Sequence, residues 1–144
     1  MDESSVVKYI TDTFRGVDVV AADGNYFFFY DPGQSTPPDH RFPIVTLVTN
    51  DKYDQASNLD RPGVFRLNIG ISKATYQSLF SAPPTRPDAA GAVETGHDFT
   101  ALDQIMPHPV YGSMNWICVL SPSAATFEKI RPLLAEAYDR AAAK

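Results

Sequence analysis

The chain of 144 residues is 44% hydrophobic, 12% aromatic and 20% charged, the composition of a folded soluble domain, which excludes a disordered, collagen-like or membrane-embedded chain. Its 12 basic and 17 acidic residues leave a formal charge of −5, which opposes loose binding to nucleic acid or anionic lipid. The lone Cys118 excludes an internal disulfide, and with no signal peptide and no run of about 17–25 apolar residues, a cytoplasmic protein of one domain, residues 1–144, is expected.

Asp2 to Phe14 sets Val6, Val7, Ile10 and Phe14 on one stripe, with Gly16 just past the last turn, and predicts a first helix. Val17 to Ala22 and Asn25 to Tyr30 are β-prone runs joined by Asp23-Gly24, a pair that accepts the positive φ angles of a tight hairpin. Beyond the turn residues Asp31-Pro-Gly and Pro37-Pro38, the β-branched run Pro43 to Thr49 predicts a third strand. In Val64 to Gly70, Phe65, Leu67 and Ile69 alternate with Arg66 and Asn68, which predicts a strand with one wet face. Ser72 is suited to cap a short helix that carries Tyr76, Leu79 and Phe80 inward. Residues 81–96, rich in Pro, Gly and Ala, break all periodicity and read as a flexible surface loop. Thr100 to Ile105 predicts one helical turn closed by Pro107 and Pro109, and Met114 to Leu120 a central strand. Ser123 to Ala142 predicts a closing helix that Pro132 should kink or split. The order α-β-β-β-β-α-β-α implies an α+β, two-layer sandwich, a mainly antiparallel sheet of about five strands with helices on one face.

The strings DRPGVFRLNIGIS, HDFTALDQIMPHPVYG and WICVLSPSAATFEKIRPLLAEAY, with the opening YITDTF, resemble an uncharacterised bacterial family, domain of unknown function 6194, from end to end. More distantly, the aromatic strand, Trp116 to Leu120 and the closing helix ending in Glu-Ala-Tyr are similar to MmcQ/YjbR-like proteins. That second likeness implies a sheet-and-helix fold; DNA binding, sometimes proposed for such proteins, is not expected here, since the formal charge of −5 opposes a nucleic-acid partner. Neither likeness brings a functional residue with it.

Four groups of residues carry candidate chemistry. In Tyr26-Phe27-Phe28-Phe29-Tyr30, alternation sends Tyr26, Phe28 and Tyr30 to one face and Phe27 with Phe29 to the other. If helices cover one face only, the other exposes large rings, and such a patch marks a surface for a ligand, a protein partner or a second copy in a homodimer. The bland alternative is a second face hidden under residues 31–42 or 81–96. Tyr111 and Trp116 fit the same pocket, although a strand tryptophan is more often core. Arg61, Arg66 and Asn68 form a polar stripe able to pair with a carboxylate or phosphate, against which stand local pairs with Asp51, Asp54 or Asp60.

Gly70-Ile-Ser72-Lys-Ala74 imitates a nucleophile elbow, but Ala74 replaces the second glycine and capping explains Ser72 fully. His97, Asp98 and His108, with His40 beside Asp39, offer metal-ligand chemistry without ligand spacing, and turn and capping roles explain them as well. Cys118 reads as an inert buried thiol. No metal and no cofactor is therefore implied. The reading is a protein of unknown function acting as a non-catalytic module for a small ligand or a protein, through Tyr26, Phe28, Tyr30, Arg66, His97, His108, Tyr111 and Trp116. The alternative is a small hydrolase with a metal or serine site around His97, Asp98 and His108.

Overall fold

A computed structural model of the chain describes residues 1–34, 36–37, 41–81 and 96–143. The loop expected at 81–96 lies outside them apart from its two ends, and so does His40. The elements run α1 (Glu3–Thr13), β1 (Val17–Ala22), β2 (Asn25–Tyr30), β3 (Val45–Val48), β4 (Arg66–Gly70), α2 (Lys73–Phe80), β5 (Met106–Pro107), β6 (Trp116–Leu120) and α3 (Ala124–Ala142). The six strands form one open sheet in the order β1-β2-β3-β4-β6-β5, and every neighbouring pair is antiparallel. Together with three helices this is the α+β architecture the sequence implies, with one strand more than expected. Among the described residues no helix is long and apolar enough to cross a membrane.

Local chemistry sets the element ends. The Asp2 carboxylate accepts from Ser5 N–H at 2.8 Å and caps α1, and Ser72 and Ser123 cap α2 and α3 by accepting from Thr75 and Thr126 N–H. Asp23 and Gly24 both take positive φ, 55° and 81°, as a primed hairpin turn demands. The turn is held from β3's end: Asn50 Nδ2 donates to the Asp23 carbonyl at 2.8 Å and Thr49 Oγ1 to the Gly24 carbonyl at 2.9 Å.

Two expectations are corrected. Helix α3 passes Pro132 without splitting; Pro132 and Glu128, whose carbonyl loses its donor, are both on the exposed side, where water can replace the bond. The turn expected at Thr100 to Ile105 is irregular backbone with Asp103 at φ 59°, and it leads into β5 because Asp103 N–H donates to the Leu120 carbonyl at 2.7 Å. Pro107 is tolerated there because β5 is an edge strand with no partner on its far side.

Register decides which side chains share a face. Phe28, Val45, Ile69 and Ile117 lie directly opposite one another across β2, β3, β4 and β6, and so do Tyr26, Leu47, Leu67 and Val119. This face packs on Val6 and Ile10 of α1, Tyr76 of α2 and Phe127, Ile130 and Leu134 of α3, forming the main core. The other face carries Phe27, Thr46, Asn68 and Cys118 in one row and Val48, Arg66 and Leu120 in another. No helix covers it. At its β5 end, Leu59 and Val64 of the connection 49–65 close a smaller core over Val48, Met106, Cys118 and Leu120. At its β1 end, Arg41 lies 4.1 Å over the Phe29 ring and pairs with Asp18 at 2.8 Å and Asp31 at 3.2 Å.

Candidate functional site: a cleft on the helix-free face

Between those two covers, the sheet is open over a cleft of about 860 Å³. Its floor comes from β3, β4 and β6, and one end reaches Ala137 and Arg140 of α3. Phe27, Tyr53 and Trp116 give it aromatic walls, with the Phe27 and Tyr53 rings edge to face at 5.7 Å. Phe42, Met114 and Tyr111 form an apolar collar around it and are 84%, 65% and 53% exposed.

Trp116 takes its position from a glycine. Gly70 is its direct partner across β4 and β6, and a Cβ at Gly70 would stand 2.9 Å from the indole ring. The indole therefore lies flat over bare backbone, half-buried, with its remaining surface on the cleft.

The polar part of the floor is built on Arg66. The expected wet face is corrected here: Arg66 is 1% and Asn68 2% exposed, because the connection 49–65 folds over the start of β4 and brings Asp54 and Ser57 to the guanidinium. Nη1 donates to Asp54 Oδ1 at 3.0 Å and to Ser57 Oγ at 2.9 Å, Nη2 to Asp54 Oδ2 at 2.6 Å, and Nε to Asn68 Oδ1 at 2.9 Å. Asn68 Nδ2 passes the chain on to Thr46 Oγ1 at 2.9 Å. The forked Arg66–Asp54 pair is the arrangement that makes a buried charge tolerable. Burial raises the Asp54 carboxyl, but the Arg66 hydrogen bonds and charge outweigh it and hold it below its ordinary value.

His108 completes the cluster and is 2% exposed. Its Nδ1 accepts from the backbone N–H of Val110 at 3.0 Å and Tyr111 at 2.9 Å, so the ring proton sits on Nε2. Burial, with the Arg66 charge second, pushes the imidazole down to about 3 against partial opposition from Asp54, and the ring is neutral. Such a ring is a fixed donor and a poor base.

The remaining expected site residues are distributed as follows. Phe28 is fully buried in the helix-side core and Tyr26 packs against it. Tyr30 stands edge to face with Tyr138 at 5.4 Å and reaches the cleft at the α3 end. Arg66, His108, Tyr111 and Trp116 all line the cleft. His97 instead stands against Phe80 at 5.7 Å, and Asp98 accepts from Thr100 N–H at 3.0 Å. Arg61 donates to the carbonyls of Ser57, Asn58 and Thr100 and so adjoins the Arg66 cluster only through Ser57, whose hydroxyl accepts from Arg66. The Ser72 hydroxyl is engaged with Thr75. Among the described residues no group of three or more His, Cys, Asp or Glu side chains is placed to hold a metal ion. Burial pushes the Cys118 thiol up to about 12, so it stays protonated.

Tyr53 is not marked by the sequence as a site residue, Phe27 only as a ring on one of two faces, and Gly70 only as part of the elbow imitation, not as the seat of Trp116. Alternation already separated Phe27 from Phe28 but could not say which face the helices take, and the Gly70–Trp116 contact needs the β4–β6 register. Asp54 was legible only as one of three acids within reach of Arg66.

No curated protein and no solved structure matches the chain. Over residues 1–144 it matches the family described as a family of unknown function, DUF6194, and the chain belongs to that family.

Proposed function

We propose that the protein is a non-catalytic module that binds a small, flat, largely apolar molecule in the cleft on the helix-free face of its sheet. The observation that carries this reading is the combination of an aromatic-walled cavity of about 860 Å³ with a buried, pre-ordered polar floor. Cavities of roughly 300–1,000 Å³ with apolar walls and a few fixed polar groups are the usual form of small-molecule sites. The half-buried indole, laid flat over Gly70, is a stacking surface that needs no rearrangement to receive a ring.

Hydrolysis at Ser72, His97, Asp98 and His108 has no comparable support. The Ser72 hydroxyl serves α2, Asp98 serves Thr100, and His97 and His108 keep different neighbours. A neutral His108 whose Nδ1 is occupied by two backbone donors is also unsuited to general-base work.

The test uses a convenient property of the chain: Trp116 is its only tryptophan. Titration with the uncharged fluorophore N-phenyl-1-naphthylamine should quench Trp116 emission saturably at one molecule per chain, and Tyr53→Ala should weaken the binding. Absence of saturable quenching sinks the reading.

A further inference from the structure

We infer that the cleft selects ligands by an uncharged carbonyl oxygen on a flat apolar body, received jointly by His108 Nε2–H and Arg66 Nη2–H. This rests on the small-molecule reading of the cleft and adds the chemical feature that is recognised.

Arg66 has five N–H donors. Four are taken: Nε by Asn68, two on Nη1 by Asp54 and Ser57, and one on Nη2 by Asp54. The fifth belongs to Nη2, whose remaining polar neighbour is His108 Nε2 at 3.4 Å. That nitrogen is not an acceptor. Its ring already accepts two backbone N–H groups at Nδ1, and a neutral imidazole has one accepting nitrogen, so Nε2 bears hydrogen. Two N–H donors thus face each other in the floor of the cleft, on side chains 1% and 2% exposed, and buried donors are rarely left without an acceptor. One oxygen seated against both nitrogens satisfies the pair at once.

Charge selects the kind of oxygen. Asp54 already balances Arg66 through two hydrogen bonds, and His108 is neutral, so the cluster has no spare positive charge for a carboxylate or phosphate. An anion placed there would also feel the Asp54 carboxylate across the guanidinium. A carbonyl accepts both protons without either cost. The body attached to it meets Trp116, Phe27 and Tyr53, which favours a planar ring system.

Three naphthalenes of one shape test this: 2-naphthamide, 2-naphthoate and 2-methylnaphthalene, each titrated against Trp116 fluorescence near neutral pH. The amide should bind roughly tenfold more tightly than the methyl compound, the gain expected of well-placed buried hydrogen bonds, and at least as tightly as the carboxylate. Equal binding of all three overturns the carbonyl inference and leaves the cleft reading standing; binding of none overturns both. Much tighter binding of the carboxylate overturns the claim of an uncharged acceptor. Because a His108 variant can fail to fold, the second measurement uses the unaltered chain: long-range proton–nitrogen NMR of the imidazole should show the Nε2–H form, with that proton moving downfield on adding 2-naphthamide and staying in place with 2-methylnaphthalene. An Nδ1–H form, or the same response to both compounds, removes the basis of the inference.

Discussion

At the scale of single residues, the floor of the cleft shows how differently two ion pairs on one chain can weigh. Lys8 and Asp12 sit one helical turn apart at 2.6 Å, but their side chains are 77% and 60% exposed. Arg66 and Asp54 are also 2.6 Å apart, at 1% and 17%. Water screens the first pair and barely reaches the second. Asp12→Asn should therefore leave urea stability nearly unchanged, whereas Asp54→Asn should cost about 3 kcal/mol because it strands a buried guanidinium. Similar losses from the two would show that the 49–65 connection does not seal the cluster in solution. His108 adds a pH signature. Its value falls from an ordinary 6.5 to about 3 in the folded chain, so folding favours the neutral ring; that stabilisation is complete above 6.5 and is withdrawn as the pH drops from there toward 3. His108→Gln lacks this loss. Urea midpoints should show the gap between wild type and variant narrowing as pH falls from about 7 to about 4, whereas a constant gap would mean that His108 is not held neutral.

At the scale of elements, what could be read in advance follows from how local the determining forces are. Helix α2 and its Ser72 cap, the Asp23-Gly24 hairpin and the α1 stripe each depend on residues within about one or two turns, and all three form where the sequence puts them, although Leu79, expected to face inward from α2, is 40% exposed. The errors are non-local. Met106–Pro107 becomes a strand through pairing with β6, and Arg66 with Asn68 is buried by a connection whose path no alternation pattern records. Two substitutions test these element-level arguments. Pro132→Ala returns the missing N–H to α3 on an exposed side and should raise stability by about 1–3 kcal/mol; no gain would mean that the helix already compensates for the break. Gly70→Ala puts a methyl 2.9 Å from a rigid ring, so the indole must move. The chain should stay folded, at a cost of about 1–3 kcal/mol, with an altered Trp116 emission maximum and severalfold weaker binding of N-phenyl-1-naphthylamine. Unchanged emission would show that the indole does not rest on β4.

At the scale of the molecule, the arrangement is a sheet with one face spent on folding and the other partly left open. The strand Tyr26-Phe27-Phe28-Phe29-Tyr30 is where the two uses are separated by a single residue step. Its pattern is symmetric, since both faces are aromatic, and only the placement of α1, α2 and α3 breaks that symmetry. Phe28 is 0% exposed under the helices, while Phe27 is half-buried on the cleft against Tyr53. The same truncation at neighbouring positions should therefore have opposite consequences. Phe28→Ala removes a filled volume from the main core and should cost about 3–5 kcal/mol. Phe27→Ala removes a half-covered ring and should cost about 1 kcal/mol, yet it should lower affinity for N-phenyl-1-naphthylamine, because the cleft loses a wall. Urea unfolding and Trp116 titration on the two variants separate the cases. A large stability loss at Phe27, or a Phe28 variant that stays stable while losing binding, would mean that the helices cover the other face of the sheet and that the cleft does not exist as described.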